Sequence, residues 1–304
     1  MLLEPPTDEQ LARFYTEFNM SPESIQRDVE YLKEWITQQP HLPNVTDERR
    51  LRNMLFYCKN SVEKVKRVTD LYYTVRGQVP EFFANRDPLT QDVEKIIHTV
   101  FFLPLPRHTP DGSRILLFRL MDSNPARYNA TQAMKLGFMV GDIRLLEDTC
   151  LNNILVFDLT GFTLTHLTLH TIPMVKKFMF VGQKAFPIRQ KAVHIIYAPP
   201  FVDKILMLFK PFMKAKLAKR MYVHQGLGNL SEYIPRNLLP EDYGGDLPPL
   251  KEIHESWKKQ LVENRDFFLK EESVFTDESK RPGKPKTTED LFGMEGSFRS
   301  LNID

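Results

Sequence analysis

The sequence predicts an α/β fold preceded by a helical region. After residue 110, short apolar runs alternate with amphipathic stretches, which is the pattern of a layered domain built on a mainly parallel sheet. Residues 7–86 instead carry apolar side chains at helical spacing. A chain of 304 residues is long enough for one larger and one smaller unit. We therefore expect a helical bundle over residues 1–88 and an α/β domain over residues 89–268.

Three helices are predicted in the N-terminal unit. Ser21 and Pro22 form a start signal, because serine caps the free N–H groups of a helix and proline fits its first turn. Two further helices are expected to begin near Asp47 and after the capping residue Ser61. Each start is followed by apolar residues on one stripe, so the helices can pack into a small bundle.

Four short strands with helices between them are predicted in the second unit. The strands are residues 115–118, 154–157, 193–197 and 221–224. Helices are expected over residues 131–147 and 164–181, a further one begins after Pro199 and Pro200, and a last one follows Gly245. Helical connections of this length join parallel strands, which predicts a mainly parallel sheet.

The helix after Pro200 is apolar on more than one side, which is unusual for a helix at the surface of a protein in water. Its apolar side chains are Phe201, Val202, Ile205, Leu206, Leu208, Phe209 and Phe212. Four cations follow it, namely Lys214, Lys216, Lys219 and Arg220. Lys216 and Arg220 are four residues apart and are expected to share one helix face. An apolar helix that begins at prolines and ends in cations indicates a mobile lid that touches membranes.

Two glycines lie inside the predicted helix over residues 131–147. Gly137 and Gly141 are four residues apart, and each costs a helix about 1 kcal/mol relative to alanine. Another group must therefore approach this face of the helix closely. The spacing fits a tightly packed neighbour and a ligand cavity equally well.

The composition excludes several classes of protein. A net charge of +2 gives no global attraction to nucleic acid, so affinity for an anionic surface must come from a local patch.

Cys58 and Cys150 are far apart, which favours a reducing compartment without disulfides. The first ten residues contain acid and proline and do not form a signal peptide. No run approaches the roughly 20 apolar residues of a membrane-spanning helix. We expect a cytoplasmic protein that is peripheral on membranes and binds no nucleic acid.

No motif of a catalytic or metal site is complete. Residues 158–161 read DLTG, which differs from the Asp-Thr-Gly of aspartic proteases by one residue and has no second copy. His166 and His170 are four apart but lack the glutamate of the zincin pattern and a third ligand, which favours core or solvated histidines. Gly226 and Gly228 lack the third glycine of a dinucleotide motif. We expect no enzymatic activity and no metal or other cofactor.

Several short motifs recur in a recognisable order. They are Phe186-Pro187 followed by Arg189 and Lys191, KPF at residues 210–212, the cationic helix end, a strand that ends at His224, and LPEDYGG at residues 239–245. In this order they resemble the CRAL-TRIO lipid-binding family, in the branch of alpha-tocopherol transfer protein and cellular retinaldehyde-binding protein. The similarity runs from about residue 47 to about residue 257, and the end of the chain is similar to insect members. It implies a CRAL-TRIO α/β domain with a hydrophobic cavity and a mobile lid helix.

The resemblance also implies which residues bind the ligand. The positions matched to the cavity wall are Phe118, Met134, Gly137, Gly141, Phe157, Leu164, Phe178, Val181, Phe186, Val193 and Ile195. Those matched to the inner face of the lid are Phe201, Val202, Ile205, Leu208 and Phe209. Any one of them is also compatible with an ordinary core position.

Four cations match the phosphoinositide-binding positions of the family. They are Arg189, Lys191, Lys216 and Arg220. Family members that carry an inositol lipid inside the pocket have an acidic residue where this chain has Ile188, which argues against such a cargo. Thr160 and Ala198 also replace acidic residues of the family pattern, which affects the strand end and the lid hinge.

These features predict a cytosolic carrier. A ligand that buries roughly 400 Å² of apolar surface gains on the order of 10 kcal/mol, so release into water is difficult and transfer to a bilayer is favoured. We expect a tocopherol-, retinoid- or carotenoid-like ligand exchanged at phosphoinositide-bearing membranes. The alternative is a signalling adaptor that senses membrane composition without net transfer. Residues 269–304 are charged and proline-containing, which predicts a largely disordered tail that is a possible site for a protein partner.

Overall fold

The computed structural model describes residues 2–293. The helices of the N-terminal region are α1 (Asp8–Phe18), α2 (Pro22–Thr37), α3 (Glu48–Tyr57), α4 (Val62–Gln78), α5 (Pro80–Phe83) and α6 (Gln91–Ile97). Helices α2, α3 and α4 are capped by Ser21, Asp47 and Ser61, whose side chains accept hydrogen bonds from backbone N–H groups. The three predicted helix starts therefore agree with the structure.

A five-stranded sheet follows in the order β1-β2-β3-β4-β5. The strands are β1 (Val100–His108), β2 (Ser113–Leu120), β3 (Asn152–Asp158), β4 (Gln190–Ile196) and β5 (Met221–Val223). Strands β2 to β5 are parallel, and β1 is antiparallel to β2 at the edge. The predicted mainly parallel sheet is confirmed, but the count of four strands is wrong because β1 was not predicted. Pro104 and Pro106 lie in β1, and proline is tolerated in an edge strand although it weakens the sequence signal of one.

The remaining helices connect and cover the sheet. They are α7 (Ala130–Glu147), α8 (Leu164–Thr168), α9 (Ile172–Phe180), α10 (Val202–Phe209), α11 (Ala215–Ala218), α12 (Leu250–Glu263), α13 (Arg265–Glu271) and α14 (Thr288–Phe292). Helix α7 is buried along most of its length and packs against the N-terminal helices on one side and the sheet on another. It is therefore the element that joins the two units.

Two predicted helices are broken in the structure. Residues 164–181 form α8 and α9 rather than one helix, because Pro173 begins a new helix and residues 181–185 continue it as a π-helical turn. The apolar helix after Pro200 ends at Phe209, and Pro211 turns Lys210–Phe212 into a 3₁₀ segment.

The cationic end of that segment also differs from the prediction. Helix α11 is a single turn that ends at Ala218, and Arg220 lies beyond it, immediately before β5. Lys216 and Arg220 therefore do not share a helix face, although they lie close together along the chain.

The C-terminal region is more ordered than its composition predicts. Within residues 269–293, Thr276 and Phe292 are buried, and Arg281 forms an ion pair with Asp70 of α4 (2.7 Å). The prediction of disorder considered this segment alone and missed these contacts with distant residues. The last residues, where a partner-binding end is expected, lie outside the described part of the chain.

A cluster of buried charges joins α4, α7 and the loop after α5. Asp142 of α7 accepts hydrogen bonds from Tyr72 (2.6 Å), Arg76 (2.6 Å) and Arg86 (2.5 Å). Burial opposes ionisation of this carboxyl, but the charges of Arg76 and Arg86 outweigh burial and lower the pKa of Asp142 to about 2. The carboxylate is therefore charged at neutral pH and balances two buried guanidinium groups.

Replacing Asp142 with asparagine leaves Arg76 and Arg86 buried without a full counter-charge. We expect Asp142→Asn to lower the free energy of unfolding by about 3–5 kcal/mol, measured by urea denaturation. Asp122→Asn is the matched control, because Asp122 pairs with Arg127 at the surface (2.9 Å) and the same change there should cost less than about 1 kcal/mol. Equal losses in the two variants would contradict this account.

Histidine burial predicts a loss of stability in acid. His194 of β4 is fully buried, with its Nδ1 3.1 Å from Nε2 of His224. Burial, and to a smaller extent His224, lower the pKa of His194 to about 4. The unfolded chain, where histidine has a pKa near 6.5, binds the proton more readily, so stability falls as the pH drops from about 6.5 to 4. We expect Tm to fall over this range, and to fall less in His194→Phe; a variant with the same slope as the original protein would refute the assignment.

Candidate functional site

The centre of the sheet presents aromatic side chains that are not fully covered. Phe118, Phe157 and Ile195 lie at the same level of β2, β3 and β4. The rings of Phe118 and Phe157 are 5.8 Å apart and both are half-buried. Neighbouring side chains that alternate with them, such as Leu117 and Val156, are fully buried. At this level, one face of the sheet is therefore fully covered by other residues, and the other face is only partly covered.

Helix α7 contributes the two predicted glycines. A Cβ at Gly141 would lie 2.9 Å from the ring of Phe186, so a tightly packed neighbour explains this glycine. A Cβ at Gly137 would lie at an ordinary 3.4 Å from the ring of Phe102, so packing does not require glycine there. Both glycines are half-buried, although most of α7 is buried. Close packing therefore accounts for Gly141, whereas the contact with Phe102 does not account for Gly137.

A second group of predicted wall residues lies between α7 and α9. Phe178 is half-buried and its ring is 5.5 Å from that of Phe138, which is in turn 5.6 Å from Phe186. Met134 and Val181 are buried in the same cluster. Val193 is buried in β4. Leu164 is 44% exposed at the start of α8 and does not belong to this interior.

The segment over residues 201–213 covers this region incompletely. Helix α10 has no fully buried side chain, although most of its residues are apolar. Val202 and Ile205 pack against the same small buried cluster as Phe157, which contains Ile195. Leu208 and Phe209 pack against the cluster around α7 and α9. The outward residue Met207 is 68% exposed.

Both ends of this segment are held by specific backbone contacts. At the start, Tyr197 has a φ of +49°, which costs energy for a residue other than glycine, and the next N–H, of Ala198, donates to His224 O (3.2 Å). At the end, Gln183 of the π-helical turn donates to Phe212 O (2.8 Å) and accepts from Lys214 N (2.8 Å). The apolar segment thus follows a strained residue at its start and is held by hydrogen bonds at its end.

The four predicted phosphoinositide-binding cations differ in their surroundings. Arg189 lies 3.8 Å from Glu17 and over the ring of Phe18 (5.0 Å), and Lys191 pairs with Asp111 (2.5 Å). Lys216 and Arg220 have no ion pair within residues 2–293. The backbone carbonyl of Arg220 accepts from Val193 N of β4 (3.0 Å), and Val193 is two residues after Lys191 on that strand. Arg220 therefore lies beside the strand that carries Lys191. Lys216 and Arg220 are therefore the cations of this set that are available to an external anion.

Three residues that contribute to this region were not predicted from the sequence. Phe102 lies in the unpredicted strand β1, Phe138 follows Gly137, and Gln183 holds the end of the apolar segment. The apolar character of Phe138 beside a glycine is a signal that could have been used. Nothing in the sequence around Gln183 indicates its role, because its partners lie about 30 residues away.

His166 and His170 have roles in local structure. His166 Nδ1 accepts from Thr163 N (3.1 Å) in the cap of α8, and Tyr128 Oη lies 3.2 Å from His170 Nε2. Among residues 2–293 no helix has the length and apolar content needed to cross a membrane.

The comparisons with known proteins cover both units. Residues 21–93 match the family described as Pinta-like, UBA domain, and residues 99–245 match the CRAL/TRIO domain. The chain is 29% identical over 270 residues to mouse alpha-tocopherol transfer protein-like, with 87% of this chain and 77% of the relative aligned. It is 28% identical over 279 residues to the human protein of that name (88% and 80%) and 22% identical over 261 residues to human clavesin-2 (84% and 79%).

A solved structure, the crystal structure of Sfh5, aligns with a TM-score of 0.43 and 13% identity over 80% of this chain and 99% of that one. The domain match spans β1 to the end of the LPEDYGG motif, and so includes the sheet, α7 and the segment over residues 201–213. Residues 99–245 of this chain therefore form a CRAL/TRIO domain.

Proposed function

We propose that this protein is a cytosolic carrier that holds one small apolar molecule beneath α10 and exchanges it at phosphoinositide-containing membranes. The ligand is of tocopherol-, retinoid- or carotenoid-like character. The protein acts as a binding and transfer protein rather than as an enzyme, and it is peripheral on the membrane.

The state of α10 is the observation that supports this proposal most directly. An apolar helix of a globular protein normally buries one face completely, because that burial supplies most of its stability. Helix α10 buries no residue completely, and the aromatic side chains beneath it are half-buried as well. An apolar molecule between these two surfaces would cover both at once, at about 25 cal/mol per Å² of apolar surface removed from water.

The names of the relatives agree with this class of ligand. The match to alpha-tocopherol transfer protein-like proteins covers most of this chain and most of those proteins. From this similarity, we assign the transfer of an apolar molecule to the CRAL/TRIO domain over residues 99–245. Ile188 stands where inositol-lipid carriers of the family have an acidic residue, which favours a cargo without an inositol phosphate headgroup.

The outer surface of the same region suits contact with a bilayer. Met207 on α10 and Ile172 at the start of α9 are 68% and 62% exposed, which is unusual for large apolar side chains. Lys216 and Arg220 follow α10 and are free to approach anionic headgroups, each contributing about 1 kcal/mol near an anionic surface. Arg189 and Lys191 already have carboxylate neighbours and would contribute less.

The ligand can be sought directly in protein purified under mild conditions. Solvent extraction and mass spectrometry should recover about one equivalent of one apolar compound, since release into water is unfavourable. Gly137→Leu places a side chain in the partly open space beside Phe102 and should abolish most of this recovery.

Gly228→Leu is the matched control for this variant. No heavy atom lies within 4 Å of a Cβ at Gly228, and this glycine is far from α7 in the chain, so recovery should be unchanged. Protein that is folded yet empty in its unmodified form would overturn the proposed cargo function.

The cations can be tested separately from the cargo. Lys216→Ala/Arg220→Ala should weaken binding to vesicles that contain phosphatidylinositol bisphosphate by roughly 30-fold, which corresponds to two cations at about 1 kcal/mol each. Cosedimentation measures this affinity, and the amount of extractable ligand should stay the same.

Lys251→Ala/Lys259→Ala removes two charges from α12 and should leave vesicle affinity within about twofold of the original. Equal weakening by both double variants would show a general charge effect and contradict a local site. A transfer assay between vesicles then distinguishes a carrier from a membrane-sensing adaptor, which would bind vesicles and move no ligand.

A further inference from the structure

The C-terminal residues 272–292, here called the strap, connect the N-terminal helices with α9. The strap leaves α13, runs along α4 and ends as the short helix α14, which packs against α9. It therefore spans two elements that are distant in the sequence and adjacent in the fold.

The first part of the strap is anchored on α4 and on the loop after α2. Arg281 Nη1 lies 2.7 Å from the carboxylate of Asp70, and Lys286 pairs with the same carboxylate. The backbone N–H of Asp277 donates to His41 O (2.9 Å). The Arg281 side chain is mostly buried, so this ion pair is better shielded from salt than a surface pair.

The end of the strap is anchored on α9. Phe292 is 1% exposed, its ring centroid lies 5.0 Å from that of Phe180, and Lys177 Nζ lies over the ring at 6.0 Å from its centroid. Thr287 caps α14 by accepting the N–H of Asp290 (3.1 Å). One buried aromatic ring thus fixes the end of the strap to α9.

Helix α9 also supports the apolar segment over residues 201–213. Helix α10 and the 3₁₀ turn after it pack against α9, and Gln183, just beyond α9, holds Phe212 and Lys214 by hydrogen bonds. Residues 181–185, directly after α9, form a π-helical turn, a conformation that is rare overall and occurs often at functional sites. The strap and the apolar segment thus bind the same short helix.

The composition of the strap shows that these contacts are what keep it ordered. It is rich in charges and proline and has few apolar residues of its own, as expected for a segment without an independent core. Segments of this kind open locally at lower free energy than the core of a domain. The strap can therefore detach while the rest of the fold persists.

We propose that the strap is a detachable clasp that fixes α9 and thereby restrains the segment over residues 201–213. When the strap is seated, α9 and Gln183 hold the end of that segment in place. When the strap detaches, α9 loses the support of Phe292, and the segment opens more often. The statement that this opening regulates cargo exchange rests on the proposed function. The mechanical coupling between the strap and the segment over residues 201–213 does not.

Hydrogen exchange of the full-length protein, as purified, tests the coupling without any ligand. Arg281→Ala removes the ion pair with Asp70, and Phe292→Ala removes the ring from α9. Each should raise exchange of the amides in residues 172–186 and 202–213 by at least about fivefold.

Lys280→Ala is the matched control, because Lys280 carries the same charge one residue away and pairs only within the strap, with Asp277 (2.9 Å). It should leave both regions unchanged. Amides of α12 report global unfolding and should stay protected in all three variants.

Faster exchange confined to the strap in Arg281→Ala and Phe292→Ala would overturn the proposal, since the strap would then detach without effect on α9. A uniform rise that includes α12 would overturn it as well. Because the readout needs no cargo, an empty protein with coupled exchange would refute the proposed function and leave the clasp intact.

Discussion

The buried carboxylate of Asp142 is the interaction on which the arrangement of the two units depends. It lies in the middle of α7 and is shared by Arg76 of α4 and Arg86 of the loop after α5. Arg50 of α3 and Glu271 of α13 extend the same network (3.0 Å). Charges at this depth are tolerated only when they are paired, so the geometry of α3, α4, α7 and α13 must be satisfied together. The residue before Asp142 is Gly141, which faces the ring of Phe186, and that ring is 5.6 Å from the ring of Tyr72 in the network. The charged network therefore lies directly beside the aromatic cluster that includes Phe186.

The local features of the fold could be predicted because each depends on a few adjacent residues. Helix starts at Ser21, Asp47 and Ser61 follow from capping, and β2 to β4 follow from short apolar runs. The errors arose where proline changes the usual pattern. Pro104 and Pro106 obscure an edge strand, while Pro173 and Pro211 end or begin helices inside stretches with continuous helical periodicity. For the two broken helices the apolar residues were correctly assigned to helices and only the boundaries were wrong, whereas β1 was not predicted at all.

The candidate site was less accessible to prediction, because it depends on pairs of residues that are far apart in the chain. The sequence gives Arg189, Lys191, Lys216 and Arg220 equal weight, but Glu17 and Asp111 are close enough to balance the first two. No periodicity or motif contains that information. Similarly, the two glycines of α7 look equivalent, but Gly141 is required by the ring of Phe186 and Gly137 is not required by Phe102. Leu164 matched a wall position, but it is 44% exposed at the first residue of α8.

The distribution of buried residues separates a rigid part of the molecule from a less stable one. Helix α7 and the charged network bury most of their side chains, and so do the central strands of the sheet apart from residues such as Phe118 and Phe157. By contrast, α10, the π-helical turn and the strap are held by neighbouring elements. Gln183 holds the segment that contains α10, α4 packs against the π-helical turn, and Asp70 of α4 pairs with Arg281 and Lys286 of the strap. Such segments have the lowest local stability in a fold, and a function that requires opening must use them. All three meet at α9, which is nine residues long and continues into the π-helical turn. Helix α14 of the strap and α10 both pack against α9, and α4 packs against the π-helical turn that follows α9. A change in how firmly α9 is held therefore acts directly on an element that supports α10.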